Sequence, residues 1–369
     1  MRIAVIALPA LILAGAALAG ETSTGHRPFL MGFTPFPYDM TLEAVDKTWD
    51  LVRKHSDIVA IHIDGGGVPW TEALADNPFP GDIEAEWKKD RAKIPEGYRV
   101  YLALMPLDGD RIGLALNRTK EKDQPLPPAF KGKTFGDAVV RQAYLNYCRR
   151  AVRAFRPDYL NIAVECTNIA LQKPKRWPEF AEFCRFIRSE LKKEWPDLSI
   201  GVSHELQKLW TDKVVERVRP ALKDMDYLGL SFYPYSDSFG ARYGARRLPK
   251  EPEQWRSPLG WARGYTDMPI AICETGYITR KIHVKEFDLR MEGDEARQEW
   301  YIRELMEIAR RDRYLFVINY LAVDYDKLSA RFPAQRDLFQ LWESMGFLDS
   351  GLRAKPALKA WDAALAEPR

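Results

Sequence analysis

Two glutamates, each just past a short apolar run, carry the plainest chemistry in this chain. They are Glu165, after Tyr159-Leu160-Asn161-Ile162-Ala163-Val164, and Glu274, after Pro269-Ile270-Ala271-Ile272-Cys273. If the runs are barrel strands, both carboxyls leave at one rim. Such a pair does the two jobs of acetal hydrolysis, one carboxyl protonating the leaving oxygen and the other attacking the sugar carbon. A separation of about 5–5.5 Å goes with retention of configuration and roughly 6.5–9.5 Å with inversion.

The elements that must position them alternate along the chain. Short β-branched and aromatic runs at 29–37, 58–65, 99–107, 159–166, 199–204, 227–233, 269–274 and 315–321 read as strands. Amphipathic runs at 42–55, 137–155, 177–195, 212–222 and 295–311, with a closing one at 355–365, read as helices. Thr41 and Thr211 are N-cap candidates, and Pro178 suits a first helical turn. Eight strand-helix passes predict an α/β protein, a single-domain (β/α)8 TIM barrel over 20–369. A doubly wound sheet shows the same alternation, but no G-x-G-x-x-G follows the first strand. The triple glycine Gly65-Gly66-Gly67 fits a sharp turn beside a cleft instead.

The long connections all follow strands, the side on which barrel enzymes build their sites. Residues 66–98 carry Trp70 and Trp87, residues 108–136 carry prolines and charges, and residues 234–264 carry Trp255 and Trp261. A deep cleft with Trp70 among its sugar contacts is expected. His62 and Asp64 share one face of the second strand, and His204 ends the fifth, so these are further candidates for substrate contact. No metal and no cofactor is expected, because there is no His-x-His and no H-E-x-x-H among five scattered histidines. Serine chemistry lacks its G-x-S-x-G elbow, and Ser203-His204-Glu205 alternate faces along a strand.

Arg2, the apolar run 3–17 and the small-x-small site Ala17-Leu18-Ala19 read as a signal peptide, 1–19, removed on export to the periplasm or beyond. No later run is long enough to span a membrane. A net charge of +3, from 55 basic and 52 acidic residues, does not make a nucleic-acid surface, so a neutral carbohydrate partner and a monomer are expected. Export permits disulfides, and Cys148 and Cys184, on consecutive helices, are the pair that allows one. Cys166 and Cys273, next to the glutamates on strands of period two, should point away from the cleft.

In its motifs the chain resembles clan A of the glycoside hydrolases, whose acid/base glutamate ends strand four and whose nucleophile ends strand seven. Cys273-Glu274-Thr275-Gly276-Tyr277 resembles the strand-seven motif of the family 53 endo-galactanases, and Ser231-Phe232-Tyr233-Pro234-Tyr235 the strand-six motif of the clan. The C-terminal Gly346-Phe347-Leu348-Asp349 and Lys355-Pro356-Ala357 resemble the closing segments of such barrels. The resemblance implies Glu165 as acid/base, Glu274 as nucleophile and Tyr233 as the hydroxyl that holds it, in an endo-acting hydrolase of a β-linked polysaccharide or oligosaccharide. Two positions depart from the pattern. Val164 stands where the clan places an asparagine, leaving Asn168 to supply an amide, and Tyr320 stands in for the strand-eight tryptophan. A sugar-binding barrel without chemistry is the alternative, with those two departures as its marks.

Overall fold

The computed structural model describes residues 26–63, 65–81, 83–210, 212–234 and 256–369. The leader 1–19, Asp64, Thr211, Tyr235 and Trp255 lie outside the described residues.

Eight parallel strands close on themselves. They are β1 (Leu30–Phe33), β2 (Ile58–Ile63), β3 (Arg99–Leu104), β4 (Tyr159–Asn161), β5 (Ser199–Glu205), β6 (Tyr227–Phe232), β7 (Ile270–Thr275) and β10 (Phe316–Asn319), with β1 paired to both β2 and β10. Between β7 and β10 a small antiparallel hairpin, β8 (Ile282–Val284) and β9 (Leu289–Met291), lies outside the barrel. The barrel is the one the alternation predicts, and the helices Leu42–His55, Asp212–Leu222 and Glu295–Arg311 have the expected bounds. Thr41 caps the first of these, its hydroxyl accepting the Ala44 N–H at 3.1 Å.

The barrel interior grades from apolar to polar along its axis. Its lower tier is aromatic, with Tyr101 and Tyr159 packing on Phe316 at 4.9 and 5.0 Å between ring centres. Above it the Asn161 amide bonds the Tyr101 hydroxyl at 2.9 Å and the Ser203 hydroxyl at 3.0 Å, a closed polar tier with no water needed to satisfy it. The charged residues sit above that, at the C-terminal rim.

Two expectations about the loops need correction. Residues 66–98 contain two helices, Trp70–Ala75 and Ile83–Lys93, and Arg256–Tyr265 is helical as well. The second helix is charge-rich, with only Ile83 and Trp87 buried, so its apolar periodicity is too sparse to read. The long irregular connection is 108–136, which folds back on the glycine turn. Gly67 has φ +88°, and a Cβ there would stand 2.4 Å from the Leu116 carbonyl oxygen, so only glycine admits this approach.

Candidate active site

Glu274 is aimed inward by a bulge. Across β6 and β7, Leu230 pairs with Ile272 but Ser231 pairs with Glu274, so the ladder skips Cys273. Cys273 therefore lies inside the barrel, beside Tyr101, rather than facing away as a strict period of two predicts. Burial pushes its thiol up to about 12. The Glu274 carboxyl, almost fully buried, accepts the Tyr233 hydroxyl at 3.0 Å, and His62 Nδ1 lies 3.7 Å from its other oxygen. Rings surround this group: Tyr320 meets Phe36 at 5.5 Å, His62 at 6.1 Å and Tyr233 at 6.4 Å, each edge to face. The Tyr320 backbone is fixed by its N–H to the Thr275 carbonyl at 2.7 Å.

Glu165 is presented differently. β4 ends at Asn161, five residues before the cysteine at which the apolar pattern stops, and the chain continues beside β5 as an irregular ledge. Ser203 holds both ends of that ledge. Its N–H donates to Ala163 O at 3.1 Å, its carbonyl accepts Cys166 N at 3.0 Å, and its hydroxyl accepts Glu165 N at 3.0 Å. These bonds keep Glu165 at φ 52°, a left-handed conformation that costs an ordinary residue about 1–2 kcal/mol. Its carboxyl lies 3.5 Å from the Arg111 guanidinium, and Arg111 is itself left-handed at φ 61°. Two left-handed residues whose side chains meet are the pattern expected where geometry serves function.

The remaining candidates separate. Tyr233, His62 and Tyr320 gather around Glu274. His204 does not join them: it is fully buried on the helix side of β5, 3.2 Å from the Thr167 hydroxyl and against Trp177, and burial pushes its imidazole down to about 3. Trp70 is buried too, its indole N–H on the Ala115 carbonyl at 2.8 Å and its ring on Phe130, so it holds the 108–136 segment and offers no face to a sugar. Asn168 donates its amide to the Asp110 carbonyl at 3.0 Å, which braces the residue before Arg111. Val164 is buried, and the nearby Asn161 amide is engaged inside the barrel with Tyr101 and Ser203.

Three residues at the site were not read from sequence, Phe36, Arg111 and Lys208, while Ser203 and Glu205 were considered only as part of a serine relay that alternating faces rule out. Glu205 was readable in principle, since the period of two puts it on the same inward face as Ser203. The 108–136 segment has no periodicity to place Arg111. All four cysteines are buried free thiols, so the Cys148–Cys184 bridge is not formed.

No family model and no curated protein matches this sequence. Solved structures do resemble it. The exo-β-1,4-mannosidase Op5Man5 from Opitutaceae bacterium strain TAV5 superposes with a TM-score of 0.63 at 15% identity, over 92% of this chain and 60% of that one. A GH5_18 protein from Streptomyces cattleya in complex with Manβ1-4GlcNAc gives 0.62 at 14% identity, over 92% and 83%. The GH53 catalytic domain from Ignisphaera aggregans gives 0.54 at 16% identity, over 86% and 88%. At these identities the likeness is one of fold: the closed barrel is the architecture implied by the clan A resemblance, and this chain spans 60% of the length of Op5Man5.

Proposed function

We propose that this protein is an exported, monomeric glycoside hydrolase that cleaves β-linked saccharides by a retaining two-glutamate mechanism. The observation that carries the reading is the Tyr233 hydroxyl on Glu274 at 3.0 Å, at the same rim from which Glu165 projects. A phenolic O–H donating to a carboxylate stabilises its charge and fixes the oxygen that attacks. In the proposed cycle Glu274 attacks the anomeric carbon while Glu165 gives its proton to the departing oxygen. Glu165 then takes a proton from water, which releases the sugar from Glu274. The ring of Phe36, Tyr233 and Tyr320 supplies apolar surface for a sugar face.

The likeness to an exo-β-1,4-mannosidase and to a GH5_18 protein holding Manβ1-4GlcNAc supports β-1,4-linked mannosides as the first substrates to test, with β-galactan and β-glucan beside them. Endo action belongs to the same proposal, and the sizes of early products separate it from release at a chain end. Incubated with these polysaccharides, the protein releases reducing ends, and Glu165→Gln and Glu274→Gln each lower the rate by about 10³-fold or more with folding retained. Equal inertness of all three proteins supports the second reading, a sugar-binding barrel. One contact favours that reading: the Glu165 carboxyl is paired with the Arg111 guanidinium at 3.5 Å, an ion pair that a carboxylate with no chemistry also makes.

A further inference from the structure

The glycine turn after β2 opens on a cavity of about 320 Å³, whose lining runs from Phe36 and His62 past Gly65–Gly67 to the helix Ile83–Lys93. Phe36 and His62 are a wall common to this cavity and the site: their rings are 6.1 Å apart, and His62 Nδ1 is 3.7 Å from Glu274. Ile61, Ile83 and Trp87 make the apolar back of the cavity. Two cations converge on the turn. Gly66 has φ +84°, and a Cβ there would stand 2.6 Å from Arg118 Nη1 and 3.1 Å from Lys122 Cγ. The Arg118 backbone is pinned, its N–H donating to the Val68 carbonyl at 3.0 Å, while Asn117 and Gln124 exchange both backbone bonds at 2.8 Å. Its side chain is 13% exposed, and Nε is buried with no hydrogen-bond partner. The carboxylate beside it, Glu86, is 61% exposed and 3.9 Å away, too far for a hydrogen bond. A guanidinium so largely out of water is poorly compensated by an exposed pair of that length. Asp90 also lines the cavity but pairs with Lys93 at 3.8 Å, and Lys122 has no carboxylate partner among the described residues. Arg118, Lys122 and Lys93 against Glu86 and Asp90 leave the cavity with a positive excess.

We propose that this cavity is a subsite for an anionic substituent of the saccharide, a uronate carboxylate or a sulfate ester, recognised by Arg118. The inference rests on the glycosidase reading for its ligand and names the class of saccharide that reading leaves open. A ring bound beside Glu274 and His62 carries its neighbour across Phe36, and the neighbour's acidic group meets the guanidinium. The planar fork of Arg118 gives two parallel N–H bonds to two oxygens of either anion, and Lys122 adds a point charge at the mouth. Glu86 is the group displaced, and its exposure lets it turn to water. A neutral saccharide leaves the guanidinium as it stands, whereas an acidic one supplies the hydrogen bonds it lacks.

Calorimetric titration of Glu274→Gln, which binds without turnover, tests this with β-1,4-linked tetraoses of the manno, galacto and gluco series. Each is used neutral, with one ring oxidised to the uronate, and with one primary hydroxyl sulfated. In one series an acidic form binds roughly 10–100-fold more tightly than its neutral parent at low salt, and the advantage shrinks as salt rises. The uronate and sulfate arms tell which anion the cavity takes. Added to that background, Arg118→Met removes the advantage and leaves the neutral affinity within about threefold. Glu86→Gln, at an exposed position, removes the competing carboxylate and raises the acidic affinity alone. Acidic forms that bind no better than neutral ones in all three series overturn the proposal, as does an advantage that survives Arg118→Met. Neutral affinity lost in Arg118→Met makes the cavity a plain sugar subsite. If Arg118→Met does not fold, Glu86→Gln decides, and an acidic affinity unchanged there overturns the proposal. An acidic preference governed by Arg118 in a wild-type protein that hydrolyses none of these tetraoses leaves the cavity standing and removes the glycosidase reading. Hydrolysis of the neutral forms with no acidic preference does the reverse.

Discussion

In the proposed mechanism Glu274 attacks carbon, which needs one oxygen held and the other open, and the Tyr233 hydroxyl at 3.0 Å would provide the hold. Tyr233→Phe deletes this bond and changes nothing else in the ring's shape. A hydrogen bond to a charged group is worth about 1.5–3 kcal/mol, so the variant loses roughly 10–100-fold in kcat, with melting temperature little altered. Kinetics on an aryl glycoside check this. A loss confined to KM means that Tyr233 contacts the sugar and leaves the proposed nucleophile alone. The partner His62, 3.7 Å from the opposite oxygen, sits within a cage of Phe36, Tyr101 and Tyr320. That packing limits where its ring can turn.

At the scale of elements, the site is made by two irregularities in otherwise regular strands. One is the β6–β7 bulge that turns Cys273 and Glu274 inward together, and the other is the ledge after β4 on which Glu165 is left-handed. Glycine carries no penalty at such a position. Glu165→Gly is therefore more stable than Glu165→Gln by about 1 kcal/mol, measured by denaturant unfolding, although both lack the proposed acid. Equal stabilities mean that the ledge does not hold this conformation in solution. These irregularities explain what the sequence revealed and what it hid. The strands and the two glutamates were legible because a buried parallel strand is an apolar run and its end is where polarity returns. The bulge was not, since nothing local in Ile272-Cys273-Glu274 distinguishes a regular ladder from one that skips a residue. Likewise Trp70 and His204 were misplaced because a residue type names a capability, and only packing decides between a cleft wall and the layer behind it.

Across the whole molecule, rigidity is distributed so that the rim can be polar. The aromatic tier and the Asn161–Ser203 tier fill the barrel below, and a buried Lys355–Asp324 pair at 2.7 Å ties the segment before the closing helix Pro356–Leu365 to the chain after β10. Asp324 also accepts the Gly346 N–H at 3.0 Å, which fixes the segment that resembles the clan's closing motif. No disulfide contributes, an economy open to a barrel whose core is large enough to stand without one. Among the described residues no helix is long and apolar enough to cross a membrane. The scaffold thus presents the rim carboxyls on held backbone, as the proposed mechanism requires of two that act on one bond.

The proposed mechanism is tested most directly by trapping the covalent intermediate it requires. The protein is incubated with dinitrophenyl 2-deoxy-2-fluoro-β-glycosides of the manno, galacto and gluco series, digested, and mapped by mass spectrometry. One of the three adds a single fluorosugar to the peptide bearing Glu274, and Glu274→Gln takes up none. Turnover of the parent dinitrophenyl glycosides without an adduct, or an adduct on another residue, contradicts the assignment of Glu274 as the nucleophile.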